Sequence, residues 1–194
     1  MKYITRKCKF ILLAIIVLTT AGCKAIYIRT NDINKEVSFT SKEAYTTYFN
    51  LNYEITQDKI YFPQPGAYWE VASYLLKDVD YFYGITLNDS TQIDDPYLNE
   101  IKSCSGRVSG IIHALDKDYN TKPTQLSKFN LTNSSGQKMD ISKGKSVIFI
   151  LSTKLGRERL KTIKELSAEV EALNNPDVNY YLIAVDEPAS YGVK

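Results

Sequence analysis

The chain has 194 residues, 44% of them hydrophobic, with 24 Lys and Arg against 22 Asp and Glu, one His, three Cys and 15 Tyr. That is enough chain for one domain of ordinary size with a sizeable core. Four of the basic residues, Lys2, Arg6, Lys7 and Lys9, fall within the first ten positions, so no basic block remains to bind nucleic acid, and one His with three scattered Cys excludes zinc-ligand spacing.

Those four cations precede Phe10 to Leu18, nine apolar residues, and then the small run Thr19-Thr20-Ala21-Gly22 meets Cys23. A membrane-spanning helix needs roughly 20 apolar residues, so the layout is that of a cleavable export signal over 1–22. The string Leu18-Thr19-Thr20-Ala21-Gly22-Cys23 resembles the lipobox of bacterial lipoproteins, with Thr20 where an aliphatic residue is usual. The resemblance implies that Cys23 is acylated, exposed as the first residue of the mature protein and anchored to a membrane of the cell envelope, facing the periplasm or the exterior; several acyl chains make such anchoring stable. An ordinary secretory signal is the alternative, and it too places the chain outside the cytoplasm. Processing at Cys23 leaves 172 residues with 20 basic against 22 acidic, a formal charge of −2. With Cys8 removed and Cys23 acylated, Cys104 is the remaining thiol, and no intramolecular disulfide is available.

Residues 23–36 lack a hydrophobic period and read as a tether. An α/β region is expected over 37–118. Ser41 caps a helix that places Ala44, Tyr45, Tyr48 and Phe49 on one face and ends near Asn52. Lys59-Ile60-Tyr61-Phe62 is a short strand closed by Pro63 and Pro65. A helix from Ala67 to Lys77 carries Trp69, Ala72, Tyr74, Leu75 and Leu76, a strand runs from Val79 to Leu87, and Asn88-Asp89-Ser90 turns the chain. A strand near Leu98 to Ser103 and a helix from about Arg107 to Leu115 complete the region. The polar stretch 116–124 is the best internal boundary.

The second region, 125–194, opens with a short strand at Lys128-Phe129-Asn130-Leu131 and a turn at Asn133-Ser134-Ser135-Gly136. The run Val147-Ile148-Phe149-Ile150-Leu151 is expected of a strand buried on both faces. A helix from about Arg157 to Leu173 turns Leu160, Ile163, Leu166, Val170 and Leu173 inward, Asn174-Asn175-Pro176 stops it, and Tyr180 to Val185 is a second core strand joined to the first by a crossover.

From Phe129-Asn130-Leu131-Thr132 through Gly136, the apolar strand, the helix and Val185-Asp186, this region resembles the first half of thioredoxin-like proteins of the peroxiredoxin and envelope-reductase kind. Such proteins hold a nucleophilic cysteine in the turn between strand and helix, where the helix N-terminus favours the thiolate. Here that turn reads Ser152-Thr153-Lys154-Leu155-Gly156-Arg157, so the family's redox chemistry does not carry over. The element order over 41–115 looks like the missing second half placed earlier in the chain. The expected fold is therefore α/β, a thioredoxin-like three-layer sheet in permuted or incomplete form. The whole pattern also resembles small Bacteroidetes lipoproteins, which implies a localisation and no activity.

Cys104, in Lys102-Ser103-Cys104-Ser105-Gly106-Arg107, is the candidate reactive thiol, set before a helix and between cations; the alternative is a buried packing residue. His113 lies nine residues on, about 13.5 Å along one helix, too far to activate that thiol. Asp89, Asp94, Asp95 and Glu100 are acidic but match no calcium loop. No phosphate cradle or serine-nucleophile elbow is present, and no cofactor or metal is implied. The function these features favour is binding or scaffolding by a redox-inactive domain, with the membrane and a protein as partners. A thiol-dependent protein using Cys104 and a protective, immunity-type lipoprotein are the rivals.

Overall fold

The computed structural model describes residues 28–76, 81–94 and 119–193. Helix α1 (Lys42–Tyr53) starts where expected, with the Ser41 hydroxyl accepting from Ala44 N–H at 3.2 Å, and stops at Glu54, whose left-handed backbone (φ 54°) turns its N–H back to Asn50 O at 2.9 Å. Strand β1 (Ile60–Tyr61) is followed by α2 (Tyr68–Leu75), then by the antiparallel pair β2 (Phe82–Thr86) and β3 (Thr91–Ile93). Strand β4 is Thr121–Pro123, β5 Lys145–Leu151 and β6 Val178–Ala184, with α3 (Arg157–Ala172) between the last two.

Among the described residues these six strands form one mixed sheet in the order β1-β6-β5-β2-β3-β4. Strands β1, β6 and β5 are parallel, while β2 runs antiparallel to β5 and is followed by antiparallel β3 and β4. The class is therefore α/β. The alternation along β5 sends Val147, Phe149 and Leu151 into one apolar cluster and Ile148 and Ile150 into the other, which is why this strand is apolar without a break. The first cluster also takes Tyr45 and Phe49 of α1 and Leu160, Ile163, Leu166 and Val170 of α3; the second takes Val71 and Leu75 of α2 with Leu126, Leu131 and Ile141. Helices thus cover both faces of the sheet.

Several expectations are corrected. Residues 128–131 are not a strand: Leu126–Lys128 is a 3-10 turn closed by Phe129 N–H to Leu126 O at 3.2 Å, and the lateral pairing begins at the Leu131 carbonyl, which accepts from Met139 N–H at 3.0 Å, and at Thr132, which bridges Phe62 and Lys138. The stretch 116–124, read as a loose boundary, contributes β4, which lies on the sheet edge where Pro123 needs no ladder donor. On α2, Trp69 and Leu76 face outward, 70% and 47% exposed, because Val71, Ala72 and Leu75 hold the inward face. The strand expected near 98–103, the helix over 107–115 and the export signal lie outside the described residues.

The stretch read as a tether, 23–36, is docked over its last residues. Asn34 N–H donates to Lys154 O at 3.0 Å, Arg157 N–H to Asn31 O at 2.7 Å, and Phe39 N–H to Ser190 O at 2.6 Å. Arg157 pairs with Asp32 at 3.0 Å and Lys154 with Glu36 at 2.8 Å. Residues 31–40 therefore form a strap across the end of the sheet where β5 and β6 finish. Two glycines let it approach. At Gly156 (φ +83°) a Cβ would sit 2.6 Å from Ile33 Cγ1 and 2.8 Å from Asn31 O, and at Gly192 (φ +74°) it would overlap Thr40 O.

Candidate functional site

In open α/β sheets, groups at the carboxyl ends of parallel strands converge where the chain leaves the sheet. Here the register Leu151↔Ala184 brings the residues that follow β5 and β6 side by side. Ser152 caps the 3-10 turn Thr153–Leu155, its hydroxyl accepting from Lys154 N–H at 3.1 Å. Opposite it, Asp186 is 5% exposed and accepts four hydrogen bonds. Its Oδ1 takes Ser152 Oγ–H at 2.7 Å and Thr153 Oγ1–H at 3.1 Å; its Oδ2 takes Tyr45 O–H at 2.8 Å and Thr153 N–H at 2.9 Å. A buried carboxylate in no direct ion pair among the described residues needs such a donor set to offset its desolvation.

Tyr45 comes from α1, fully buried among Phe39, Phe49, Phe62 and Tyr191. Burial, and secondarily the Asp186 carboxylate, push its phenol well above the ordinary tyrosine range, so it stays a donor. Burial likewise raises the phenols of Tyr191 and Tyr68; Tyr68 donates to Val185 O at 3.0 Å, while the Tyr191 hydroxyl has no hydrogen-bond partner among the described residues.

Above Asp186 lies a cleft of about 240 Å³ whose walls include Glu36, Ser38, Thr153, Lys154, Glu187 and Ser190. The hydrogen bond from Lys154 lowers the Glu36 carboxyl below its ordinary range, and the same bond raises the Lys154 ammonium. A second groove, about 520 Å³, runs between α1 and α3 and is lined by charges of both signs, among them Asp32, Lys35, Glu54, Arg157, Lys161 and Lys164.

Chemically, the Ser152–Asp186 pair is not a nucleophile and its base. The Ser152 proton is committed to Asp186, and no imidazole stands among the described residues to carry it elsewhere. Saturated on both oxygens, Asp186 fixes the turn and the strap-side floor of the cleft. The cleft offers a lysine, carboxylates and hydroxyls, which suits polar recognition.

Cys23, Cys104, His113, Asp95 and Glu100 lie outside the described residues. Asp94 pairs with Lys122 at 3.1 Å across the β3–β4 ladder, and Asp89 lies in the exposed turn. Among the described residues no group of three or more His, Cys, Asp or Glu could hold a metal ion, and no helix is long and apolar enough to cross a membrane. The sequence pointed to the Ser152–Arg157 turn for the cysteine it lacks, and to Asp186 only as a strand end. The signal that joins them is parallel pairing: two apolar runs in adjacent parallel strands put the polar residues that end each run in contact. Comparison with protein-family models, with curated proteins and with solved structures finds no match.

Proposed function

We propose that this chain is a cell-envelope lipoprotein, anchored through an acylated Cys23, whose domain is a thioredoxin-like sheet of permuted connectivity that acts by binding or scaffolding. The observation that carries this reading is the buried Asp186 with its four donors. From beyond the end of β6 it faces Ser152 and Thr153, in the turn between β5 and α3 that corresponds, on this reading, to the one in which thioredoxin-like proteins keep their thiol. Hydroxyls committed to a carboxylate replace a thiolate there, so the site is built to hold its shape and present a cleft.

The permuted connectivity is supported by the sheet. A parallel β5-α3-β6 unit pairs, through β5, with the antiparallel hairpin β2-β3, and the hairpin precedes the parallel unit in the chain. That is the joining of halves expected of a thioredoxin-like sheet, with their sequence order exchanged.

The test takes membranes from cells expressing the tagged protein, its Cys104→Ser variant and its Cys23→Ala variant, thiol-blocked and run without reductant. Expected are identical monomer bands for the first two and loss of incorporated palmitate in the third. A higher-mass species that depends on Cys104 would replace the binding reading with thiol chemistry.

A further inference from the structure

The groove between α1 and α3 has two unlike walls. Arg157, Lys161 and Lys164 follow one another along one face of α3, and Tyr48, Asn52 and Tyr53 of α1 line the other side. Two ion pairs tie the walls together, Arg157 with Asp32 of the strap at 3.0 Å and Lys164 with Glu54. Those ties stand about 10 Å apart along α3. The groove's volume of about 520 Å³ falls within the range of about 300–1,000 Å³ in which small ligands are held.

Pairing leaves the groove without a net field but not without hydrogen-bonding capacity. Asp32, Glu54 and Glu158 stand against the three cations of α3 and Lys35, which lies 3.5 Å from Asp32; Lys161 is offset by Glu165 at 3.9 Å. That balance selects no ion of either sign. The Arg157 pair engages one guanidinium nitrogen, Nη2, and one carboxylate oxygen, so further donors and lone pairs remain on both groups. The side chains of Arg157 and Glu54 are 64% and 76% exposed, which leaves that capacity open to a ligand.

Glu54 is itself held against its backbone preference. It ends α1 in the left-handed region, φ 54°, where glycine or asparagine is usual. An exposed ion pair with Lys164 returns little for that conformation. A carboxylate kept there at a conformational cost fits a role in binding. Beside it, the rings of Tyr48 and Tyr53 lie 6.1 Å apart at 67°. The face of such a ring is negative and attracts polarised C–H groups, while its hydroxyl donates and accepts.

We propose that this groove binds a neutral oligosaccharide whose sugars carry their hydroxyls equatorially, with C–H faces on Tyr48 and Tyr53 and hydroxyls between the cations of α3 and the carboxylates of Asp32 and Glu54. Neighbouring sugar hydroxyls accept from a cation and donate to a carboxylate at once, which is the alternation these walls offer. The site is distinct from the Asp186 cleft and holds whether or not Cys23 is acylated.

The test keeps the processed full-length protein in a polyoxyethylene detergent, which carries no sugar, and reads binding by saturation-transfer NMR. Cellotriose and chitotriose are the neutral probes and trigalacturonate the anionic one. Expected is transfer to the C–H protons of at least one neutral probe, undisturbed by trigalacturonate. Glu54→Gly should weaken that binding about tenfold, as loss of a charged hydrogen bond does, while the melting temperature holds or rises because glycine suits the backbone there. Lys161→Ala, at an exposed side chain, should weaken binding about threefold with the fold intact, and decides the matter if Glu54→Gly fails to fold. Absence of transfer to both neutral probes, displacement of a neutral probe by trigalacturonate, or unchanged affinity in either folded variant overturns the proposal.

Discussion

The Tyr45 hydroxyl donates to the Asp186 carboxylate at 2.8 Å across 141 positions of sequence, joining α1 to the segment that follows β6. Removing the donor with Tyr45→Phe should cost about 2 kcal/mol, the usual range for a hydrogen bond to a charged group, without disturbing the ring packing. Asp186→Asn turns one acceptor oxygen into an amide donor facing donors, and should cost about 3 kcal/mol. Urea unfolding of the single and double variants should show coupling between the two, with the double variant less destabilised than their sum.

Gly156 and Gly136 share a φ of +83°, but a Cβ at Gly136 meets nothing within 4 Å while one at Gly156 runs into Ile33 and Asn31. Gly136→Ala should therefore cost only the backbone conformation, about 1 kcal/mol. Gly156→Ala adds displacement of the strap, for a total of about 3 kcal/mol. Limited proteolysis should cut within 28–40 faster in Gly156→Ala than in Gly136→Ala; equal rates would mean that the strap is not held by this approach.

Burial raises the Tyr53 and Tyr181 phenols to about 12, and it also raises those of Tyr45, Tyr83, Tyr180 and Tyr191 above the ordinary tyrosine range. A phenol whose folded value exceeds its unfolded value near 10 leaves the native state holding more protons between the two. Stability is therefore intact below pH 10 and falls as pH rises through 10 toward 12 and beyond. Ultraviolet titration of phenolate should show an early group of exposed tyrosines, then a late group whose ionisation coincides with loss of circular dichroism.

Trp69, the chain's one tryptophan, is 70% exposed on α2, with its ring against the edge of Tyr68. Its emission should be solvent-like in the native state and fully open to iodide quenching. Unfolding should move the emission maximum little, so fluorescence will underreport a transition that circular dichroism records in full.

The parallel unit was legible because its pattern has only one physical solution: six consecutive residues of β5 buried on both faces need flanking strands and covering helices, and α3 keeps its apolar residues at helical spacing. The Ser41 cap was equally plain. Strand β4 was not, because all three of its residues are exposed and its place depends on the β3 edge. Phe129-Asn130-Leu131 alternates as a strand does, yet the Phe129 and Leu131 amides close locally and Leu131 is buried in the cluster that α2 covers. At the site, Ser152 and Thr153 were singled out for lacking sulfur. Their bond to Asp186, and the contribution of Tyr45, depend on strand register and on the packing of a helix more than a hundred residues away.

The strap also orders events in time. Its partners are Lys154, Arg157, Ser190 and the close approach at Gly192, all in the last quarter of the chain. Long-range pairing of this kind makes folding slow, because the ends must meet before any contact compensates the lost freedom. A polypeptide made N-terminus first has nothing for residues 31–40 to close on until the stretch from Lys154 to Gly192 is in place. Synthesis can therefore proceed on an open chain, and the strap closes as a late act that joins residues 31–40 to the stretch 154–192.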